Sequence, residues 1–178
     1  MIKFTIITCT YNAERVLQRT LDSVKKQTYC NIEHIIMDGG SSDKTLSMER
    51  AYQHKISKSE NAHDIVVVSE PDRGLYDAMN KSIDRATGDY LVFLNAGDVF
   101  PSGETLEHVA GCVGEGETLP GVLYGDTYIV DASGHFLRHR RLQPPARLSW
   151  RSFRWGMLVC HQSFYARTDL AKAIHYNL

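Results

Sequence analysis

Thr8-Cys9-Thr10-Tyr11-Asn12, Asp38-Gly39-Gly40-Ser41-Ser42-Asp43, Glu70-Pro71-Asp72-Arg73-Gly74 and Asn95-Ala96-Gly97-Asp98 gather hydroxyl, amide, carboxylate and guanidinium groups, each cluster at the end of a short apolar run. In open α/β sheets ligands sit beyond the carboxyl ends of the strands, so clusters in these places define one polar crevice. Neither G-x-G-x-x-G nor G-x-x-x-x-G-K-[ST] follows any of the runs, which removes dinucleotide and P-loop chemistry. Without a glycine cradle, a diphosphate held there needs a metal ion or cationic side chains. Gly111, Gly114 and Gly116 follow a helical stretch instead of a strand, and read as a surface turn.

The elements that must position these groups alternate. Lys3 to Thr8 is a β-branched run, and Ala13 to Gln27 carries Val16, Leu17, Leu21 and Val24 at helical spacing with Asn12 placed to cap it. Ile32 to Asp38 reads as a strand, Lys44 to about Ser57 as a helix, Asp64 to Ser69 as a strand, Leu75 to Ala86 as a helix burying Leu75, Met79 and Ile83, and Tyr90 to Asn95 as a fourth strand. Such alternation predicts an α/β, Rossmann-like fold: a mainly parallel central sheet with helices on both faces. Val122 to Val130 and Phe136 to Arg140 flank Asp131, Ala132, Ser133 and Gly134 and read as a hairpin. Met157 to Tyr165 is a further strand, and Thr168 to about His175 a helix.

At 178 residues, with 43% hydrophobic and 23% charged, the chain has the length and composition of one globular domain. No apolar run nears the roughly 20 residues of a membrane span, and the amino terminus reads as a strand, not a signal peptide, so a cytoplasmic location is expected. Cys9, Cys30, Cys112 and Cys160 form no C-x-x-C pair, so reduced thiols are expected, not a disulfide or structural zinc site. The net charge of -1 is a cancellation: residues 1–131 hold 12 basic and 20 acidic groups, residues 132–178 hold 8 and 1.

Thr10-Tyr11-Asn12, the Asp38 to Thr45 stretch, Asp72-Arg73-Gly74-Leu75-Tyr76-Asp77-Ala78-Met79-Asn80-Lys81, and the run from Ala86 to Asp98 resemble, in this order and spacing, a family 2 glycosyltransferase with the nucleotide-sugar-binding GT-A fold. With Cys160-His161-Gln162 they are similar to the bacterial type that builds surface polysaccharides such as O-antigen and capsule. The resemblance spans nearly the whole chain, as a nucleotide-binding half (1–100) and an acceptor-side half (101–178) of one domain. It implies a donor set of Thr10, Tyr11, Asn12, Glu14, Asp38, Arg73, Asn80 and Asn95 for a sugar carried on a nucleotide diphosphate, uridine diphosphate above all. Tyr11 would offer its face to the base, with Thr10 and Asn12 adding hydrogen-bonding groups beside a helix amino terminus. Asp38 would accept from the base imide or a ribose hydroxyl, and Arg73 would clamp phosphate. Family members hold Mg²⁺ or Mn²⁺ with an Asp-x-Asp-like element. Here that element reads Asn95-Ala96-Gly97-Asp98, leaving Asp98 as the metal ligand with His161 as a possible second.

The implied reaction is in-line displacement with inversion, a carboxylate taking the proton of a saccharide or lipid-linked acceptor. Its usual base lies beyond the His161 segment, where this sequence reaches Leu178, so the base is expected outside it, with Asp126 the internal candidate. The alternative is a non-catalytic nucleotide-sugar-binding module or the donor-binding fragment of a longer transferase. A sugar nucleotidyltransferase is disfavoured, because its glycine-rich basic loop is replaced by Thr10-Tyr11-Asn12. Arg138, Arg140, Arg141, Arg147, Arg151, Arg154 and Arg167 interleave with Trp150, Phe153 and Trp155, without an acid from 132 to 168. That pattern fits either peripheral contact with an anionic membrane or packing on the sheet with ion pairs to acidic loops. Nucleic acid is not an expected partner, since no recognised binding fold accompanies the charge.

Overall fold

The computed structural model describes residues 1–59, 63–114, 118–131 and 133–178, the Trp155 side chain excepted. The expectations for Gly116, Ala132 and the Trp155 ring lie outside the described residues. The elements are β1 (Phe4–Thr10), α1 (Leu17–Lys25), β2 (Ile32–Asp38), α2 (Thr45–Ile56), β3 (Asp64–Ser69), α3 (Leu75–Arg85), β4 (Tyr90–Phe93), α4 (Thr105–Gly111), β5 (Val122–Tyr124), β6 (Tyr128–Val130), β7 (Phe136–His139), β8 (Phe164–Arg167) and α5 (Thr168–Ala173). Short 3₁₀ turns lie at Trp150–Trp155 and His161–Ser163.

Six strands form one sheet in the order β3-β2-β1-β4-β8-β5, parallel from β3 to β4 and antiparallel at β8 and β5. The α/β expectation with a mainly parallel sheet holds. Every residue of β1 is buried, as a central parallel strand covered on both faces requires. Its alternating side chains feed two layers. Phe4 and Ile6 pack with Val24, Val92, Leu94 and Leu106, while Ile7 and Cys9 pack with Met37, Ala78, Met79, Ile83 and Phe93. The register sets Thr10 beside Asp38 and Asp38 beside Ser69, so the parallel strands end level and deliver their polar termini to one edge.

Several boundaries differ from the sequence expectation. α1 begins at Leu17, not Ala13, because Asn12 is held at φ 47°, a left-handed conformation outside the helix, and caps nothing. Leu75 lies at the start of α3 and is half exposed; Ala78, Met79 and Ile83 make the buried stripe. The expected hairpin arm from Val122 to Val130 is divided: β5 joins the main sheet on β8, and only β6 pairs with β7. The expected strand at Met157 to Tyr165 begins only at Phe164, after the His161–Ser163 turn.

The lower edge of the sheet explains the first part of the run from Ala86 to Asp98. Glu33 is buried and accepts from Thr5 Oγ1 (2.6 Å), Thr87 N (2.8 Å) and Thr87 Oγ1 (2.7 Å), and Gly88 N donates to Thr5 Oγ1 (2.9 Å). A Cβ on Gly88 would lie 2.7 Å from the Lys3 carbonyl oxygen and 2.8 Å from Thr5 N, backbone atoms that cannot yield. Ala86-Thr87-Gly88-Asp89 therefore anchors the fold at the edge opposite the crevice. Gly88→Ala is expected to cost about 3 kcal/mol, the upper end of overpacking penalties, read as a fall in the urea midpoint with an unchanged slope.

Candidate functional site

The β1 and β2 termini are laced together before any ligand arrives. Asn12 N donates to Ser41 Oγ (2.8 Å), and Asn12 Oδ1 accepts from Ser42 N (2.9 Å). Ser41 donates through both its hydroxyl and its amide to Asp38, which also accepts from Ser69 Oγ (2.6 Å). Glu14 joins the lacing, its Oε2 accepting from Lys44 N (3.1 Å) and its amide donating to Asp43 (3.2 Å). Asp43 also accepts from Thr45 N (2.9 Å), the turn-and-cap role its position predicts. Above this network Tyr11 stands 68% exposed, outside the core, with its ring open to solvent.

Burial and hydrogen bonding sort the expected donor set. Asp38 is fully buried, and the Ser41 and Ser69 donors engage its carboxylate oxygens at the crevice wall. The Thr10 hydroxyl turns inward, 2.8 Å from Glu49. The Asn80 amide clasps the backbone of Tyr176 in both directions, at 2.9 Å each, while the Tyr176 ring stacks on Tyr76. Arg73 remains 73% exposed beside Asp77 (3.2 Å), able to swing toward an anion. Asp72, quoted for its motif but given no role from sequence, packs against Gly39. A Cβ there would come 2.5 Å from its Oδ2, so only glycine lets this carboxylate approach the β2 terminus. The double glycine after Asp38 was the available signal.

The Asn95 to Asp98 loop is built with equal economy of freedom. Gly97 at φ 101° takes a conformation that favours glycine, its amide donating to Thr20 Oγ1 (2.8 Å) and its carbonyl accepting from Arg19 Nε (2.6 Å). Asn95 Oδ1 accepts from Cys9 N (3.4 Å), which turns the amide nitrogen toward His161 Nε2 (3.3 Å). An Asn95 N–H aimed at that nitrogen is matched by a neutral imidazole with Nε2 unprotonated. Burial pushes the His161 pKa down, only partly opposed by Asp98 4.0 Å away. Burial likewise raises the pKa of Asp98, against the Gln162 Nε2 donor at 3.0 Å. Gln162 belongs to the Cys160-His161-Gln162 stretch that carries the resemblance, which gives it no role of its own; its contact with Asp98 supplies one.

A divalent cation fits this chemistry. Asp98 is a half-buried carboxylate whose pKa burial raises, the His161 imidazole, whose pKa burial lowers, stands beside it, and the Gln162 Oε1 atom is buried without a partner among the described residues. Among the described residues no group of three or more His, Cys, Asp or Glu side chains is placed to hold a metal ion. For such a cation the protein would supply one or two ligands and leave the rest to phosphate oxygens and water, the usual pattern for Mg²⁺.

A cavity of about 400 Å³ adjoins the same loop, lined by Asp98 and Asp126 together with apolar groups such as Phe100, Val109, Leu123 and Tyr165. The structure thus brings the candidate metal ligand and the candidate base to one space, while Tyr11, Asn12 and Asp38 do not line it. Asp126 is exposed and lies 3.3 Å from His139 Nδ1.

Comparison with known proteins agrees with this geometry. Glycosyl transferase family 2 matches residues 5–173. A PGL/p-HBAD biosynthesis glycosyltransferase of Mycobacterium bovis is 32% identical over 187 residues, covering 98% of this chain and 63% of the relative. An uncharacterized glycosyltransferase of Mycobacterium tuberculosis is 33% identical over 178 residues, covering 98% and 62%. The chain therefore spans slightly less than two thirds of these relatives. Among solved structures, a mannosyltransferase from Pyrobaculum calidifontis in complex with GDP-Man and Mn²⁺ superposes with a TM-score of 0.58 at 25% identity, over 70% of this chain and 35% of that one. S. aureus TarS in complex with UDP-GlcNAc gives 0.60 at 18% identity, over 97% and 47%. The latter likeness is one of fold.

Gln162→Leu removes the donor that counters the burial of Asp98. The Asp98 titration, followed by carbon-detected NMR, is expected to move further upward; an unmoved titration would show that Gln162 does not govern this carboxylate.

Proposed function

The chain belongs to glycosyl transferase family 2, and from that premise we propose that it takes part in moving a sugar from a nucleotide diphosphate, uridine diphosphate above all, to a saccharide or lipid-linked acceptor of bacterial surface polysaccharide. The observation that carries this reading is that the neighbouring parallel strands β1 and β4 run out at the same edge into an exposed Tyr11 and into the loop holding Asp98, a carboxylate whose pKa burial raises.

Tyr11 stacks on the base, held by the Asn12–Ser41–Asp38 lacing beneath it. Arg73 meets the diphosphate from its exposed position. Asp98, with His161 beside it, would hold Mg²⁺ or Mn²⁺, which when bound would stabilise the charge on the leaving diphosphate. An acceptor in the adjoining cavity presents its hydroxyl to a carboxylate. As the new bond to the anomeric carbon forms, the bond to the diphosphate breaks on the opposite face and the hydroxyl proton passes to that carboxylate. Asp126, with His139 3.3 Å away, is the base within this chain. The mannosyltransferase seen with GDP-Man and Mn²⁺ supports both donor class and cation.

The basic segment supports a peripheral membrane location. Trp150 is 80% exposed, with the Arg151 guanidinium 5.2 Å from its ring centroid, and Phe153 and Met157 are also exposed. Among the described residues Arg138, Arg141, Arg147 and Arg151 form no ion pair, which favours the membrane over pairing with acidic loops. No helix among the described residues is long and apolar enough to cross a membrane.

Calorimetry with a panel of nucleoside-diphosphate sugars is expected to show tighter binding with Mn²⁺ than without. Tyr11→Ala should weaken binding about tenfold, the worth of one stacked ring, and Asp98→Ala should abolish the Mn²⁺ increment. Absence of binding across the panel would remove the donor reading. In flotation assays, vesicles containing anionic lipid should carry the protein upward and neutral vesicles should not; equal recovery with both would end the membrane proposal.

A further inference from the structure

Glu49 projects from the buried side of α2 with no exposed surface. Its Oε1 lies 2.8 Å from Thr10 Oγ1, and its Oε2 is buried without a hydrogen-bond partner among the described residues. The Thr10 hydroxyl has one proton and two acceptors in reach, Glu49 Oε1 and the Met37 carbonyl oxygen at 3.4 Å. An ionised Glu49 claims that proton, deprives Met37 of it, and still leaves a charged oxygen unpaired in the interior. A protonated Glu49 frees the Thr10 proton and discharges the unpaired oxygen: Oε1–H donates to Thr10 Oγ1, Thr10 Oγ1–H donates to Met37, and Oε2 is left as a neutral carbonyl oxygen.

The surrounding charges act in the same direction. Asp38 faces Glu49 from β2 and Asp43 from the loop before α2, with Arg50 of α2 the opposing cation, while β1 contributes only the uncharged Thr10. Burial, with Asp38 adding to it against the Thr10 hydrogen bond, pushes the Glu49 pKa up to about 7. Thr10 is the last residue of β1; its carbonyl accepts from Gly39 N (2.9 Å), and Tyr11 and Asn12 follow it directly.

We infer that Glu49, held as a carboxylic acid, is a positioning residue for the donor site: through Thr10 it fixes the turn that presents Tyr11, and nucleotide-sugar binding requires it protonated. This rests on the donor reading above. The sign follows from linkage. A folded-state pKa raised above the ordinary glutamate value gives stability that is full in acid and is lost as pH rises through about 7, and the ligand-competent turn is lost with it.

The test is the dissociation constant of a uridine-diphosphate sugar, whose diphosphate diester keeps its charge across the range, at about pH 6 and about pH 8. Wild type is expected to bind about tenfold more weakly at the higher pH. Glu49→Gln, whose amide donates to Thr10 without titrating, should bind equally at both pH values and unfold at the wild-type acid midpoint. A flat wild-type affinity, or a Gln variant with the wild-type slope, overturns the inference. Should no nucleotide sugar bind at any pH, the donor reading fails separately. The backbone amide shifts of Tyr11 and Asn12 then decide: titration in step with the Glu49 carboxyl supports the positioning role, and shifts that do not move refute it.

Discussion

Burial of β1 on both faces is the constraint from which the rest follows. A strand with no exposed residue must be paired on both edges and covered above and below, which draws β2 and β4 to its sides, α3 to one face and α1 and α4 to the other. Once the three neighbouring parallel strands end level, the chain can leave the sheet only at that edge, and polar residues have no other place to collect. The lower edge is closed by Glu33 and Gly88 with comparable strictness. The site edge is therefore free to be polar because the opposite edge is not free to move.

Much of this was legible in the sequence. The β-branched runs and the 3.6-residue spacing of Leu17, Leu21 and Val24 report burial, and burial follows side-chain type, so fold class and strand order of appearance emerge from pattern alone. The departure at Asn12 has a definable cause. Asn12 reads as a helix cap because its side chain has the right chemistry, but the positive φ at that residue turns the chain away and directs its amide to Ser42. Asp38 has the chemistry of a ligand contact and Asn80 is implied as one by the family resemblance, and tertiary partners engage them both: Ser41 and Ser69 in one case, the Tyr176 backbone in the other. A sequence shows which groups a residue owns. It does not show which neighbour, distant along the chain, has already engaged them.

Three carboxylates near the crevice illustrate how one functional group acquires different tasks from its surroundings. Asp38 is enclosed by hydroxyl and amide donors and behaves as a structural acceptor. Glu49 is enclosed with a single hydroxyl and is driven toward the acid form. Asp98 is half enclosed, beside a neutral imidazole and an amide donor, and is left receptive to a cation. Donor count and burial, not residue type, distinguish the three.

The β6–β7 hairpin has a standing of its own. It forms a separate two-stranded sheet that shares no ladder with the six main strands, yet Tyr128 and Val130 belong to the wall of the cavity that Asp98 and Asp126 also line. Exchange of its side chains, or of its length, would alter what the cavity admits without disturbing the register that places Asp98 beside Gln162. The architecture thereby separates a fixed floor from an interchangeable wall, so that grafting one hairpin would reshape the cavity while the ends of the parallel strands stay as they are.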